Sequence, residues 1–360
     1  MTLSADQRLS AVHSLISPVL LREQLPASSE MLAFVQRARS DIAAILEGRD
    51  DRLLVVVGPC SIHNHDEAIE YAQRLRYEAQ ALQSQLVVVM RTYFEKPRTT
   101  VGWKGYINDP GLDGSCCISE GLRRARELLL SLNRLGLPVG TEFLDMLVPQ
   151  YIVDLVAWGA IGARTSESQP HRQLASSLSC PVAFKNNTEG NTSAAVDALI
   201  SARTPHVMLG LTEQGVVGIF ETQGNEHVHI VLRGGRSGPN YGATSVDATC
   251  ASLQRAGLRP QVMIDCSHAN SLKQYARQIE VARDIAKRIK DGDRRLIGVM
   301  IESYLEESRQ DFLPNWPLLP GISITDACLS WRQTVPLLHA MSEAVHSRRH
   351  RPGGALQFTC

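Results

Sequence analysis

Two sets of side chains in this chain could do chemistry. Cys60, His268, Glu302 and Asp326 offer a thiolate, an imidazole and two carboxylates. Such a mixed N/O/S set suits a first-row divalent cation (Mn, Fe, Co, Zn or similar) and discriminates poorly among them. Arg91, Lys96, Arg98, Arg164, Lys185 and Arg233 form the second set. A lone arginine at a strand end is usually an ion-pair partner. Six cationic residues around one opening would repel one another unless a polyanion neutralised them. Arginine brings a planar fork for phosphate or carboxylate and lysine a compact charge, so more than one anionic group is implied, such as two phosphates and a carboxylate. Gly234-Gly235 follows Arg233 and would let backbone approach a ligand closely.

Eight short apolar runs must position these groups. They cover 53–59, 86–90, 138–141, 159–163, 181–184, 229–232, 261–265 and 296–301, and lead to Cys60, Arg91, Glu142, Arg164, Lys185, Arg233, His268 and Glu302. Helix-length segments separate them, which predicts a closed parallel (β/α)₈ TIM barrel of the α/β class with its chemistry at the C-terminal ends of the strands. The first, seventh and eighth strands are neighbours in such a barrel, so Cys60, His268, Glu302 and Asp326 can meet on one side of the mouth. The helices are expected at 67–82, 119–132, 150–156, 192–202, 245–256, 271–290 and 326–345. Two further strand-like runs, 205–212 and 216–222, flank a Glu213-Gln214-Gly215 turn. They fit a β-hairpin inserted between the fifth and sixth barrel strands, near 205–223, better than extra staves. The expected organisation is an N-terminal arm and floor-capping helix (1–50), a catalytic barrel (51–345) and a basic, loose tail (346–360). Arm and hairpin are candidate surfaces for regulation or assembly.

Composition narrows the partners. The 37 basic and 37 acidic residues cancel, so no global field draws the protein to nucleic acid or to a membrane. No run reaches the ~18 uninterrupted apolar residues of a span. The polar start lacks the charged and apolar regions of a signal peptide, and a cytoplasmic location is expected. The eight cysteines, with no C-x-x-C pair, are read as thiols or ligands. Cys180, Cys250 and Cys328 fit as small core or surface residues.

The residues around these positions resemble a known family. Gly-Pro-Cys-Ser-Ile-His (58–63), Lys-Pro-Arg-Thr-Thr-Val-Gly-Trp-Lys-Gly (96–105) and Gly-Ala-Arg-Thr-Ser-Glu-Ser-Gln (162–169) look like signatures of class I 3-deoxy-D-arabino-heptulosonate 7-phosphate (DAHP) synthases. So do Phe-Lys-Asn (184–186), Leu-Arg-Gly-Gly (232–235), Asp-Cys-Ser-His-Ala-Asn-Ser (265–271) and Ser-Ile-Thr-Asp-Ala-Cys (323–328). The similarity runs in order from about residue 30 to 346. It favours the regulated bacterial and fungal branch, and the tail lies outside it.

The resemblance implies condensation of phosphoenolpyruvate with erythrose 4-phosphate to DAHP and phosphate, the first step of the shikimate pathway towards aromatic amino acids. It implies that Ala163, Arg164, Lys185 and Arg233 hold the phosphoenolpyruvate phosphate, and Arg91 with Lys185 its carboxylate. Pro97, Arg98, Thr99 and Thr100 would receive the erythrose phosphate and chain. Lys96 would donate or position a proton, and Glu142 would position water or a neighbouring base. Cys60, His268, Glu302 and Asp326 would hold the cation, with Asp326 also beside the substrate. The resemblance further implies a homodimer or homotetramer inhibited by an aromatic amino acid at Pro149, Gln150, Leu174, Leu178, Ser179, Met208, Gly210 and Phe220. Phenylalanine-regulated relatives tend to carry Ser where this chain has Gly210, and tyrosine-regulated ones Gly, so tyrosine is favoured. A bare strand kink would also suit Gly210. The alternatives are a sister phosphoenolpyruvate-using sugar-acid synthase and an inactive, effector-binding paralogue. The 96–105 run and the hairpin argue against the first, and the complete ligand sets against the second.

Overall fold

Runs such as Leu-Leu-Val-Val-Val-Gly are apolar at every position, so a strand made from them needs cover on both faces. The computed structural model, which describes residues 8–98, 100–313 and 317–351, supplies that cover. The barrel strands are β1 (Leu53–Gly58), β2 (Leu86–Arg91), β3 (Val139–Glu142), β4 (Trp158–Ile161) and β5 (Val182–Lys185). A hairpin of β6 (Val207–Leu211) and β7 (Val217–Glu221) intervenes before β8 (Val228–Leu232), β9 (Val262–Asp265) and β10 (Leu296–Glu302). All eight barrel strands pair in parallel, and β1 closes the ring between β2 and β10. The (β/α)₈ expectation is thus met.

Alternation along each strand separates two cores. Leu54, Val56, Val87, Val89, Trp158, Ala160, Ala183, Val231, Met263 and Met300 pack together inside the barrel. Their neighbours Val55, Val88, Phe184, Ile230, Ile264 and Ile301 pack outward against the helices. Ala38, Ile42, Ile45 and Leu46 of the helix Ser29–Leu46 join the inner set and cap the barrel floor. Arg39 ties that helix down by donating to the carbonyls of Val153 and Val156.

The hairpin lies outside the ring. Met208 pairs with Phe220 and Gly210 with Gly218 in an antiparallel ladder closed by the Glu213-Gln214-Gly215 turn. The arm packs on it: Val19 N–H donates to Glu213 O, and Arg22 reaches Glu213 and the Gln150 carbonyl.

Several helix expectations need correction. The helix expected at 271–290 starts only at Gln278, after a 3-10 turn at Tyr275–Arg277, because His268, Leu272 and Lys273 take positive φ. That expected at 326–345 runs over Trp331–Arg349, started by a Ser330/Gln333 capping box. The expected 150–156 helix is one turn, Pro149–Ile152, followed by a 3-10 turn. A helix at Gln169–Ser177 was not foreseen, its apolar stripe being short. Among the described residues no helix is long and apolar enough to cross a membrane.

Candidate active site at the barrel mouth

The inward alternation that fills the barrel continues past its last apolar layer. Two residues beyond Gly58 it reaches Cys60, and two beyond Val89, Ala183, Val231, Met263 and Met300 it reaches Arg91, Lys185, Arg233, Asp265 and Glu302. Glu142 pairs with inward Ala160 across β3 and β4, so it shares that layer. Period-two geometry therefore delivers a thiol, three carboxylates and three cations to one ring at the C-terminal end.

On one side Cys60, Glu302 and Asp326 bring their donor atoms within 4.8 Å of one another. Asp326 comes from the loop after β10, which is pinned by a 2.7 Å hydrogen bond between Ser61 and Thr325 and by Leu329 N–H donating to Glu302 O. The Asp326 N–H points at Cys60 Sγ, 3.4 Å away. His268 stands just outside this trio, its Nε2 4.0 Å from Glu302 Oε1. Its Nδ1 is held by Ser267 Oγ at 2.7 Å and Asp265 Oδ2 at 2.8 Å, which leaves Nε2 on the side of Glu302.

The donor set fits a divalent cation. Burial and the nearby Glu302 push the Cys60 thiol up to about 12, so a thiolate there needs a positive partner. Burial also works against the Asp326 charge, but Lys96 and His268 hold its carboxyl below the usual range. Lys96 Nζ donates to Cys60 O at 3.2 Å and Cys60 Sγ at 3.0 Å.

The cationic side faces the same cavity, about 160 Å³, whose lining includes Arg91, Lys96, Pro97, Arg98, Ala163, Arg164, Lys185 and Arg233. Arg91 is fully buried, donates to Pro59 O at 3.3 Å and Glu302 at 3.1 Å, and stacks 4.0 Å over the Tyr93 ring. Its third nitrogen, Nη1, is buried with no partner among the described residues, which leaves one donor for an anion. Lys185 sits between Asp265 at 3.4 Å and Glu142 at 3.8 Å. Arg98 donates to Trp103 O at 2.7 Å, while Arg164 reaches towards Pro97 O at 3.5 Å. Burial, followed by the repulsion of Arg164, works to lower the Arg233 pKa. Thr100 is exposed and does not line the cavity; Thr99 lies outside the described residues.

Sequence reading missed Tyr93, Thr188 and Lys273, which line the cavity, and the role of Asp265. Burial opposes the Asp265 charge, yet His268 and Lys185 hold its carboxyl well below the ordinary range. Its place two residues after inward Met263 was the available signal. The structure gives Gly234-Gly235 a packing reason. A Cβ on Gly234 would meet Ala269 and Asn270 backbone at 2.7 Å, and one on Gly235 would meet Gly190 N at 2.1 Å. These glycines let the loops around 190, 234–235 and 269–270 pack closely together.

Of the positions named for an effector, Leu174 and Leu178 are buried around the Gln169–Ser177 helix. Ser176 of that helix bonds the hairpin's Thr222 at 2.9 Å, and the arm's Arg22 binds Gln150 O, so helix, hairpin and arm converge. Ser179 follows the helix and Pro149 opens the single turn under the arm.

Residues 25–339 match the model of the DAHP synthetase I family. The chain is 52% identical over 344 residues to the Phe-sensitive phospho-2-dehydro-3-deoxyheptonate aldolase of Escherichia coli K12, covering 96% of this chain and 98% of that one. It is 48% identical over 352 residues to the tyrosine-inhibited enzyme of that name from Schizosaccharomyces pombe, covering 96% and 94%. The solved structure of a phospho-2-dehydro-3-deoxyheptonate aldolase from Francisella tularensis superposes with a TM-score of 0.93 at 48% identity, covering 95% of this chain and 99% of that one.

Proposed function

The chain belongs to the DAHP synthetase I family, and from that premise we propose how its mouth performs the reaction of a 3-deoxy-7-phosphoheptulonate synthase. The enzyme condenses phosphoenolpyruvate with erythrose 4-phosphate, giving DAHP and phosphate at the head of the shikimate pathway. The observation that carries the residue assignments is the ring itself: cations on one side and the Cys60–Glu302–Asp326 trio on the other.

Arg164, Lys185 and Arg233 bind the phosphoenolpyruvate phosphate, and Arg91 with Lys185 its carboxylate. Arg98, with Pro97, Thr99 and Thr100, takes the erythrose phosphate. Holding two anions side by side removes an entropic and a repulsive barrier at once. Cys60, Glu302 and Asp326, with His268 beside them, would hold a divalent cation, and that cation would supply Lewis-acid polarisation of the aldehyde. The enol C3 forms the new bond to the aldehyde carbon. Lys96, beside Cys60, delivers a proton to the aldehyde oxygen as it gains charge. With the C2=C3 π pair spent on that bond, C2 is electron-poor. Water positioned by Glu142 adds there, passing one proton to the now neutral Lys96 amine. The C2–O bond to phosphate then breaks as the C2 hydroxyl becomes the ketone, its proton leaving with the phosphate.

Phe-sensitive, tyrosine-inhibited and Trp-sensitive relatives lie at 52%, 48% and 50% identity, too close together to choose between them, so the choice of tyrosine rests on Gly210. The arm and the hairpin form the regulatory face. The exposed Val207, Leu209, Val217 and Ile219 of the hairpin, with Leu9 and Val12 of the arm, support assembly into a homodimer or homotetramer. Action in the cytoplasm suits a catalytic thiol. The test is a steady-state assay with phosphoenolpyruvate and erythrose 4-phosphate, repeated with arabinose 5-phosphate and an N-acyl mannosamine. Turnover confined to erythrose 4-phosphate supports the assignment; preference for another aldehyde, or silence with cation supplied, overturns it.

A further inference from the structure

The end of β9 sets two buried side chains behind His268. Asp265 is fully buried at the last position of the strand, and Ser267 is buried two residues on. Asp265 Oδ1 accepts from Ser267 N–H at 3.0 Å and from Ser267 Oγ at 2.6 Å. Ser267 Oγ also lies 2.7 Å from His268 Nδ1, and Asp265 Oδ2 lies 2.8 Å from the same nitrogen. Lys185 Nζ, 3.4 Å from Oδ2, favours the charged form of that carboxylate, which can only accept.

The loop backbone is held by other groups. Asn270 Nδ2 donates to Asp265 O at 2.8 Å and Leu232 O at 3.0 Å. The His268 carbonyl accepts from Lys273 N–H at 2.7 Å and from Ser271 Oγ at 3.1 Å. The backbone thus places the ring, and Asp265 with Ser267 decides where its proton sits. A hydroxyl has a single proton, and Ser267 gives it to Asp265 Oδ1. Towards His268 the Ser267 oxygen can therefore only accept. A bare Nδ1 would face two acceptors at hydrogen-bond distance, whereas a protonated Nδ1 makes both contacts attractive. Neutral imidazole carries one N–H, so Nε2 keeps its lone pair, 4.0 Å from Glu302 Oε1.

We infer that Asp265 and Ser267 are positioning residues that fix the neutral His268 imidazole as its Nδ1–H tautomer and keep the Nε2 lone pair turned towards the Cys60–Glu302–Asp326 trio. Neither residue lines the mouth cavity, so both act through His268. The consequence for cation binding rests on the function proposed above; the tautomer does not.

The test uses the full chain with nitrogen-labelled histidine, freed of cation by chelation and held at mildly alkaline pH. Long-range proton–nitrogen correlation spectra read the tautomer, and His268→Ala identifies the resonance. His268 in the parent chain should show a protonated Nδ1 and a bare Nε2. In Asp265→Asn the new amide can donate to Nδ1, so the proton should move to Nε2. Binding of Mn(II), followed by the EPR signal of the free ion, should then weaken about ten- to a hundredfold. Asp265 is fully buried, so Ser267→Ala tests the relay should that variant fail to fold, and circular dichroism checks both. Asp265 Oδ2 still faces Nδ1 in Ser267→Ala, so the tautomer should persist while Mn(II) binding weakens several-fold. An Nε2–H tautomer in the parent, weaker Mn(II) binding in Asp265→Asn with no change of tautomer, or parent-like Mn(II) binding in Ser267→Ala would each overturn the inference. A parent chain with the Nδ1–H tautomer that fails to turn over erythrose 4-phosphate would support it while overturning the function proposed above.

Discussion

Lys96 joins the two halves of the site, since its ammonium touches the sulfur of Cys60, a proposed cation ligand, while its neighbours Pro97 and Arg98 line the cationic cavity. Replacing it by Met should leave cation content unchanged and depress kcat far more than KM. Cys60→Ser or His268→Ala should instead lose cation and activity together, with unchanged circular dichroism. Arg164→Ala and Arg233→Ala should raise the phosphoenolpyruvate requirement about ten- to a hundredfold, and Arg98→Ala the sugar-phosphate requirement, at ~1.5–3 kcal/mol per lost charge-assisted bond. Equal effects of all three on both substrates would refute the mapping. Glu95 carries a prediction of another kind. Burial and the nearby Asp145 push its carboxyl up to about 8 from an ordinary 4.5. Across that window the folded chain holds a proton that the unfolded chain has released, so stability falls as pH rises. In Glu95→Gln, denaturant titrations from about pH 5 to 8 should show a flatter decline; an unchanged slope would count against it. Strand-end residues such as Arg91 and Lys185 were legible because alternation fixes their direction. Glu95, Tyr93 and Lys273 were not, because loops between elements obey no period.

At the scale of elements, small residues decide what the strands can present. A Cβ on Gly162 would come 2.5 Å from Glu142 Oε1, so a glycine directly after β4 leaves room for that carboxylate in the ring. Gly162→Ala should displace Glu142 and cost up to roughly a hundredfold in kcat while the barrel stays folded. Gly210 is the matching position on the hairpin. A Cβ there would meet the Phe220 ring at 2.9 Å, so Gly210→Ser must move Phe220 in the proposed effector pocket. Inhibition curves for tyrosine and phenylalanine should shift relative to each other in this variant; parallel curves would remove Gly210 from the recognition set. The strands and the hairpin were readable from apolar runs and a glycine turn. Helix starts were read less well. The 271–290 pattern is periodic throughout, yet His268, Leu272 and Lys273 adopt positive φ to aim the imidazole, and the helix begins at Gln278. The functional loop overrode local propensity there.

Over the whole molecule the charge is balanced, and the mouth repeats that balance in miniature. Cations and anions interleave as Arg91–Glu302 and Lys185–Asp265 pairs, with Lys96 against the Cys60 thiol, rather than as separate patches. A divalent cation added to the trio leaves the mouth too positive, and phosphoenolpyruvate added to the cage leaves it too negative. Added together they restore the balance. Arg91 makes the coupling concrete, since its guanidinium binds Glu302 on the cation side and has its free Nη1 for an anion. Each ligand should therefore tighten the other by the same factor, as linkage requires. Either alone, at a hundredfold excess over its dissociation constant, should stabilise the fold by ~2.7 kcal/mol, a rise of a few degrees in Tm. With both present the rise should exceed the sum of the separate ones, and phosphoenolpyruvate should bind several-fold more tightly once a chelated sample is resupplied with cation. Arg91→Lys keeps a charge but loses the fork, so it should retain each separate shift and lose most of the excess. Strictly additive shifts in the parent chain would show that the two halves of the mouth act independently.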